Sequence, residues 1–204
     1  MTSDEKERID TAKHEFLRNN EILKQQKDAL APKVGDIAPD FQTEQLSADG
    51  KRTSEFTMLS ELLDKPVGLI FGSYTCPYFR NNLPRFEQVY QSLKHSINFL
   101  CIYIREAHPI DGNWPLPNGI NKGICISAHK NLDQRANAAK YLINNALTVP
   151  LVLDTMADDL LDLYAGSPER LYIIGIDGIV IHKSPIGPLD KKQVDEWHNA
   201  LRVL

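Results

Sequence analysis

The sequence is poor in cysteine. Three cysteines occur in 204 residues, at positions 76, 101 and 125, an odd number without regular spacing. A small secreted disulfide scaffold carries a denser and even set, so that class is excluded. We therefore expect reduced thiols and a cytoplasmic location.

Long apolar runs and an excess of positive charge are missing as well. No stretch approaches the ~18 consecutive apolar residues of a membrane span, and the start "MTSDEKERID" lacks the apolar segment of a signal peptide. With 23 Lys and Arg against 27 Asp and Glu, the chain has no basic stripe for nucleic acid. We predict neither a membrane nor a nucleic-acid partner.

The first 32 residues form a charged segment of their own, and we predict a helix over residues 3–30. Ile9, Phe16, Leu23 and Leu30 recur at a seven-residue spacing, which is a weak coiled-coil pattern. The helix could lie on its own domain, pair with a second copy or stay frayed. We divide the chain into this segment, 1–32, as a possible dimerisation arm, and one catalytic domain, 33–204, and expect a homodimer.

Residues 33–204 carry a recognisable order of elements. The patterns predict a hairpin over 40–57, strands at 67–71, 97–104 and 149–154, helices at 82–95 and 129–145, a hairpin over 170–184 and a helix over 190–201. Residues 105–128 are predicted to be a long loop. β–α–β units require parallel strands and right-handed crossovers. We therefore predict an α/β fold, a thioredoxin-like, peroxiredoxin-type mixed sheet flanked by helices, preceded by the N-terminal charged helix.

Cys76 lies in "LIFGSYTCPYF", residues 69–79, between a predicted strand and a predicted helix. Ligands of open α/β sheets bind beyond the carboxyl ends of the strands. A helix N-terminus stabilises an anion, so we predict a reactive thiolate with a lowered pKa. Cys101, inside a strand, is expected to be core, whereas Cys125 is either an incidental loop cysteine or a resolving thiol for Cys76.

Four segments together resemble the iodothyronine deiodinases. They are "FGSYTCPYF", "FLCIYIREAHPIDGNWP", "ISAHKNLDQRANAAKYLI" and "VPLVLDTMADDLLDLYAGSPERLYIIGIDGIV". The resemblance runs from about residue 34 to 204, and the segments follow the family's order. It implies that Cys76 takes the place of the family's selenocysteine as the attacking group.

The resemblance also implies which residues lie near Cys76 and the substrate. It puts Glu106 and His108 beside the substrate, His129 near the reacting ring, and Arg170 near the cysteine, where its charge would favour the thiolate.

Three further residues complete the implied substrate site. Ser73 and Thr75 flank the cysteine. Pro150 precedes a strand, as does the cis proline that faces the active cysteine in thioredoxin-type folds.

The implied reaction is reductive removal of iodide from an iodothyronine or another halogenated aromatic substrate. The reductant would be an external thiol of dithiol, thioredoxin or glutathione type, without a bound cofactor. No two histidines stand at metal-ligand spacing with a third ligand, so we expect no metal. Tyr74 and Val149 stand where family members carry further cysteines, so the usual internal thiols for regeneration are missing.

Two other functions stay open on the same architecture. A peroxiredoxin-like thiol peroxidase would reduce hydrogen peroxide or organic hydroperoxides. "VGDIAPDF" resembles the opening of that group, and Ser73 and Arg170 stand near its catalytic positions, although Leu69 replaces its proline. A non-catalytic ligand-binding module would keep the pocket but tolerate loss of Cys76. A disulfide reductase would need a second cysteine where Phe79 stands.

Overall fold

The computed structural model describes Arg18 and residues 21–204, which contain a seven-stranded mixed sheet with helices on both faces. The strands are β1 (Gln42–Leu46), β2 (Arg52–Met58), β3 (Val67–Gly72), β4 (Asn98–Tyr103), β5 (Leu151–Leu153), β6 (Glu169–Ile174) and β7 (Val180–Lys183). The helices are α1 (21–30), α2 (Pro77–Leu93), α3 (Asn118–Asn121), α4 (Leu132–Asn144), α5 (Asp159–Tyr164) and α6 (Lys191–Leu201), with a 3-10 turn at Ser60–Leu62.

The sheet has the order β2-β1-β5-β4-β3-β6-β7. β3 pairs in parallel with β4, and β4 with β5, while the other neighbours are antiparallel. β3 and β4 are central, and all six residues of β3 are buried, which explains their nearly continuous apolar sequences. The predicted thioredoxin-like fold is confirmed.

The two sheet faces have separate cores, and β6 divides its side chains between them. Leu171 and Ile173 belong to the core under α2, α4 and α6, which also contains Cys76. Tyr172 and Ile174 belong to the opposite core, beside α5. Because neighbouring side chains of a strand alternate between faces, Glu169 lies on the Cys76 face and Arg170 on the other.

α2 begins at Pro77, five residues before the predicted start. Proline suits this first position, where a helix makes no use of the N–H that proline lacks. Cys76 is therefore the N-cap residue of α2, directly at the positive end of the helix.

α4 begins at Leu132, three residues after the predicted start. The side chain of Asn131 accepts a hydrogen bond from the backbone N–H of Gln134 and caps the helix. His129 consequently lies before the helix, in the segment that approaches it. The predicted loop 105–128 includes the short helix α3.

α1 lies against its own domain through polar contacts. Lys27 Nζ is 2.6 Å from Asp162 Oδ1, and Arg170 Nη2 donates to Asp28 Oδ1 at 2.5 Å. None of the helices in the described part of the chain is long and apolar enough to cross a membrane.

The predicted seven-residue pattern is visible only in part. Leu23 is 50% exposed and Leu30 is 87% exposed, whereas Ile9 and Phe16 lie outside the described residues. The contacts of α1 agree with a helix that lies on its own domain, and the homodimer stays a prediction.

The sequence left the cis or trans state of the bond before Pro150 open. Within residues 21–204, the cis peptide bonds are Ser167–Pro168 and Gly187–Pro188, so the bond before Pro150 is trans. Pro168 directly precedes β6. Pro150 directly precedes β5, where its carbonyl accepts the N–H of Cys101, and the structure does not bring it to Cys76.

Candidate active site

Cys76 follows the carboxyl end of β3 and is almost fully buried, with 2% of its surface exposed. Burial is the largest influence on the thiol, and together with the negative charge of Glu169 it raises the pKa of Cys76 to about 12. The backbone N–H groups of Phe79 and Tyr78 act in the opposite direction. The predicted lowering of this pKa is therefore wrong, because desolvation of the thiolate outweighs the helix N-terminus.

Glu169 is the buried carboxyl group that the sequence reading missed. It begins β6, opposite Gly72 of β3, and is 1% exposed. Its Oε1 accepts the N–H of Leu189 at 2.5 Å, while Oε2 has no hydrogen-bond partner among the residues described. Burial raises the pKa of Glu169 to about 7.

Arg170 is not brought together with Cys76, because its side chain lies on the opposite face of the sheet. Its guanidinium binds Asp28 and lies 5.5 Å from the ring centroid of Tyr172. The arginine that we expected to stabilise the thiolate therefore connects α1 to the sheet.

Arg80 is the cation that acts on Cys76. It lies in the first turns of α2, where Nη1 donates to the carbonyl of Tyr74 at 2.7 Å and the guanidinium lies 5.6 Å from that ring's centroid. Its positive charge lowers the pKa of both Cys76 and His108. The sequence signal was its position four residues after Cys76, one helical turn along α2.

Glu106 is the centre of a buried hydrogen-bond network. Its Oε2 accepts the N–H of Thr75 at 2.9 Å, and its Oε1 accepts the hydroxyl of Tyr103 at 2.5 Å. His129 Nε2 lies 3.2 Å from the same Oε1. Burial acts to raise the pKa of Glu106, but the contacts from His129, Thr75 and Tyr103 together hold it below its ordinary value, so this carboxylate is ionised.

Ser73 and Thr75 hold the segment that carries Glu106 and His108. The hydroxyl of Ser73 accepts the N–H of Ala107 at 3.0 Å, and the hydroxyl of Thr75 accepts the N–H of His108 at 2.9 Å. Both side chains are fully buried. They therefore join the cysteine loop to residues 106–108 and fix the two segments in one geometry.

His108 is half-buried above this junction. Its Nδ1 lies 3.0 Å from the carbonyl oxygen of Trp114, which can only accept, so Nδ1 carries a proton. In the neutral ring Nε2 is then the acceptor. Burial lowers the pKa of His108, which favours the neutral ring.

Tyr74 fills the space beside the cysteine loop. Its ring stacks on Tyr141 with centroids 5.0 Å apart, and its hydroxyl accepts Nδ2 of Asn145 at 2.9 Å. All three cysteines are free thiols; Cys101 is buried in the core, as predicted, and Cys125 is exposed. In the described part of the chain no three His, Cys, Asp or Glu side chains are grouped to hold a metal ion.

Comparison with known proteins gives consistent results. A model of the family described as iodothyronine deiodinase matches residues 2–202. Type I iodothyronine deiodinase of Xenopus laevis is 40% identical over 124 residues, which cover 61% of this chain and 47% of that protein. Thyroxine 5-deiodinase of Homo sapiens is 37% identical over 138 residues, 68% of this chain and 43% of that protein. The matched region thus spans less than half the length of these relatives.

Solved structures share the fold at low sequence identity. The thioredoxin domain of a thiol-disulfide oxidoreductase from Bacteroides vulgatus superposes with a TM-score of 0.55 at 15% identity, covering 85% of this chain and 98% of that one. A peroxidoxin from Mycobacterium tuberculosis gives a TM-score of 0.54 at 16% identity with the same coverage. At this identity, the similarity establishes the architecture alone.

Proposed function

Because the chain belongs to the iodothyronine deiodinase family, we propose that it removes iodide reductively from an iodinated aromatic substrate, with Cys76 as the attacking group. The observation that carries this proposal is the position of Cys76. It caps the N-terminus of α2 beside the network of Tyr103, Glu106 and His129, with Arg80 as the neighbouring cation.

The proposed reaction balances without a bound cofactor. The sulfur of Cys76 forms a bond to iodine as the carbon–iodine bond breaks, so the ring carbon is reduced and the sulfur is oxidised to a sulfenyl iodide. The proton lost by the thiol replaces iodine on the carbon. One external thiol then displaces iodide to form a mixed disulfide with Cys76, and a second external thiol releases the cysteine as a thiol.

The thiol proton has to pass through a group that can both accept and donate it. A histidine has this property near neutral pH. His108 supports this role, since Nε2 of its neutral ring is an acceptor on a half-buried side chain. The buried pair of His129 and Glu106 is the second candidate, because its ionised carboxylate can accept a proton and return it.

Arg80 is proposed to stabilise the negative charge that develops on the sulfur. Glu169 opposes ionisation of Cys76, so the thiolate forms during attack and is not stored beforehand. A thiol that is held protonated is protected from oxidation by solvent oxidants, because the thiolate is the reactive form.

We propose that an external thiol regenerates the Cys76 thiol after each turnover. Tyr74 occupies the position of one of the family's further cysteines, and Cys76 is buried whereas Cys125 is exposed. Cys125 is the internal alternative, and it can be tested separately. Replacement by serine should leave turnover with excess dithiothreitol unchanged.

The test is release of iodide from an iodothyronine by the purified protein in dithiothreitol. The wild-type protein should release iodide, Cys76→Ala should release none, and Cys125→Ser should match the wild type. Iodide release no higher than that of Cys76→Ala would sink the proposal.

A thiol peroxidase is the second candidate, and one observation argues against it. The charged residue of β6 on the Cys76 face is the carboxylate Glu169, where a peroxidase would need a cation. With stoichiometric hydrogen peroxide we expect Cys76 sulfenate to form no faster than on a free thiol. A much faster rate would favour the peroxidase.

A further inference from the structure

Arg135 is a buried cation directly behind His129. It lies on α4 and is 2% exposed. Its Nε donates to Nδ1 of His129 at 3.4 Å, Nη1 donates to the carbonyls of Asp154 and Thr155 at 3.2 and 2.6 Å, and Nη2 donates to Asp158 Oδ1 at 3.0 Å. A planar guanidinium with partners on all three nitrogens has one orientation.

The contact between Arg135 and His129 decides which ring nitrogen carries the proton. An arginine N–H can only donate, so Nδ1 of His129 has to accept. The proton of the neutral ring is then on Nε2, which lies 3.2 Å from Oε1 of Glu106. A proton on Nδ1 would set two N–H groups against each other, and Arg135 therefore disfavours it.

Asp158 makes this arrangement possible, because its carboxylate is not used to cap a helix. It precedes α5 in a left-handed conformation, with φ of 62°, and forms no side-chain capping bond. Asp154 performs that function, since its carboxylate accepts the N–H groups of Leu160 and Leu161 at 2.9 and 3.0 Å. A left-handed non-glycine residue is uncommon, and here it accompanies a carboxylate that binds Arg135.

We infer that Arg135 is a positioning residue that fixes His129 in the tautomer whose Nε2–H faces Glu106. His129 Nε2–H and Glu106 Oε1 are then a donor and an acceptor held 3.2 Å apart. Turnover depends on this only if the proposed function holds, whereas the tautomer itself does not depend on any substrate.

The test is the tautomer of His129 in Arg135→Met, read by ¹⁵N NMR of protein labelled at histidine. In the wild type the resonances of His129 should show a protonated Nε2 and an unprotonated Nδ1. In Arg135→Met we expect a mixture of tautomers. The matched control is Arg105→Met, because Nη1 of Arg105 binds the other oxygen of Asp158 at 3.1 Å from the exposed side. This control should keep the wild-type pattern.

Kinetics provide the second measurement. Misorientation of a proton-transfer group should lower kcat of Arg135→Met about 10- to 100-fold with little change in KM, while Arg105→Met should stay near the wild type. If Arg135→Met does not fold, Arg135→Lys replaces it, because lysine keeps the charge but lacks the fork that binds His129 and Asp158 together. An unchanged Nε2–H pattern in whichever variant folds would overturn the inference. A wild type that releases no iodide would refute the proposed function and leave the tautomer measurement decisive.

Discussion

Replacing Glu169 by glutamine should change the pH dependence of stability. The carboxyl group is 1% exposed, and burial raises its pKa from an ordinary value of 4.5 to about 7. With this difference in pKa, Glu169 binds its proton more tightly in the folded protein than in the unfolded chain by about 3 kcal/mol, since a tenfold change in an equilibrium constant is about 1.4 kcal/mol.

The sign follows from the raised pKa. Between about pH 4.5 and 7 the folded protein binds more protons at Glu169 than the unfolded chain, so the free energy of unfolding falls as the pH rises. The contribution of Glu169 to the free energy of unfolding is therefore complete below pH 4.5 and is lost as the pH rises past 7. Glutamine cannot titrate, so the variant lacks this part of the pH dependence.

The assay is denaturant unfolding of wild type and Glu169→Gln at several pH values between 4.5 and 8. Other groups titrate alike in both proteins, so the difference between their pH dependences isolates Glu169 and should reach about 3 kcal/mol. Glu55→Gln is the matched control, because Glu55 is exposed on β2, and it should follow the wild type. Parallel curves for the wild type and Glu169→Gln would refute the reasoning.

Two further substitutions test the packing and the hydrogen bonds around the site. Gly72→Ala would place a Cβ against the ring of Phe79, so we expect a loss of about 1–3 kcal/mol in stability, visible as a lower melting temperature. An unchanged melting temperature would contradict this packing. Tyr103→Phe removes the hydroxyl that accepts the N–H of Tyr74 and donates to Glu106, so denaturant unfolding should show a loss of about 1–3 kcal/mol; wild-type stability would contradict the bond.

Most of the fold could be predicted because the central strands have a distinctive pattern. β3 and β4 are continuous apolar runs of strand length, and such runs indicate strands buried on both faces. Cys76 was found by its place between β3 and a helix, which the topology alone makes a binding position. The polar network of Glu106 and His129 followed from the resemblance, since sequence spacing does not indicate that residues 23 positions apart meet.

The charged residues beside Cys76 were assigned wrongly for one reason: each assignment depends on the position of an element to within one or two residues. Glu169 and Arg170 are neighbours, and a strand sends them to opposite faces, so an error of one position exchanges a carboxylate for a guanidinium beside Cys76. Arg80 was missed because the predicted start of α2 lay beyond it. Once the helix begins at Pro77, Arg80 lies one turn from the thiol.

The order of Glu169 and Arg170 in β6 has a consequence for how the chemistry of this sheet can be altered. The two residues give β6 a negative side chain on the face toward Cys76 and a positive side chain on the face toward α1. Exchanging them would leave the composition, net charge and strand pattern of the chain as they are. It would nevertheless bring a guanidinium beside Cys76 and oppose Asp28 with a carboxylate, so a thiol that keeps its proton would become one that gives it up, while α1 would lose its ion pair with β6.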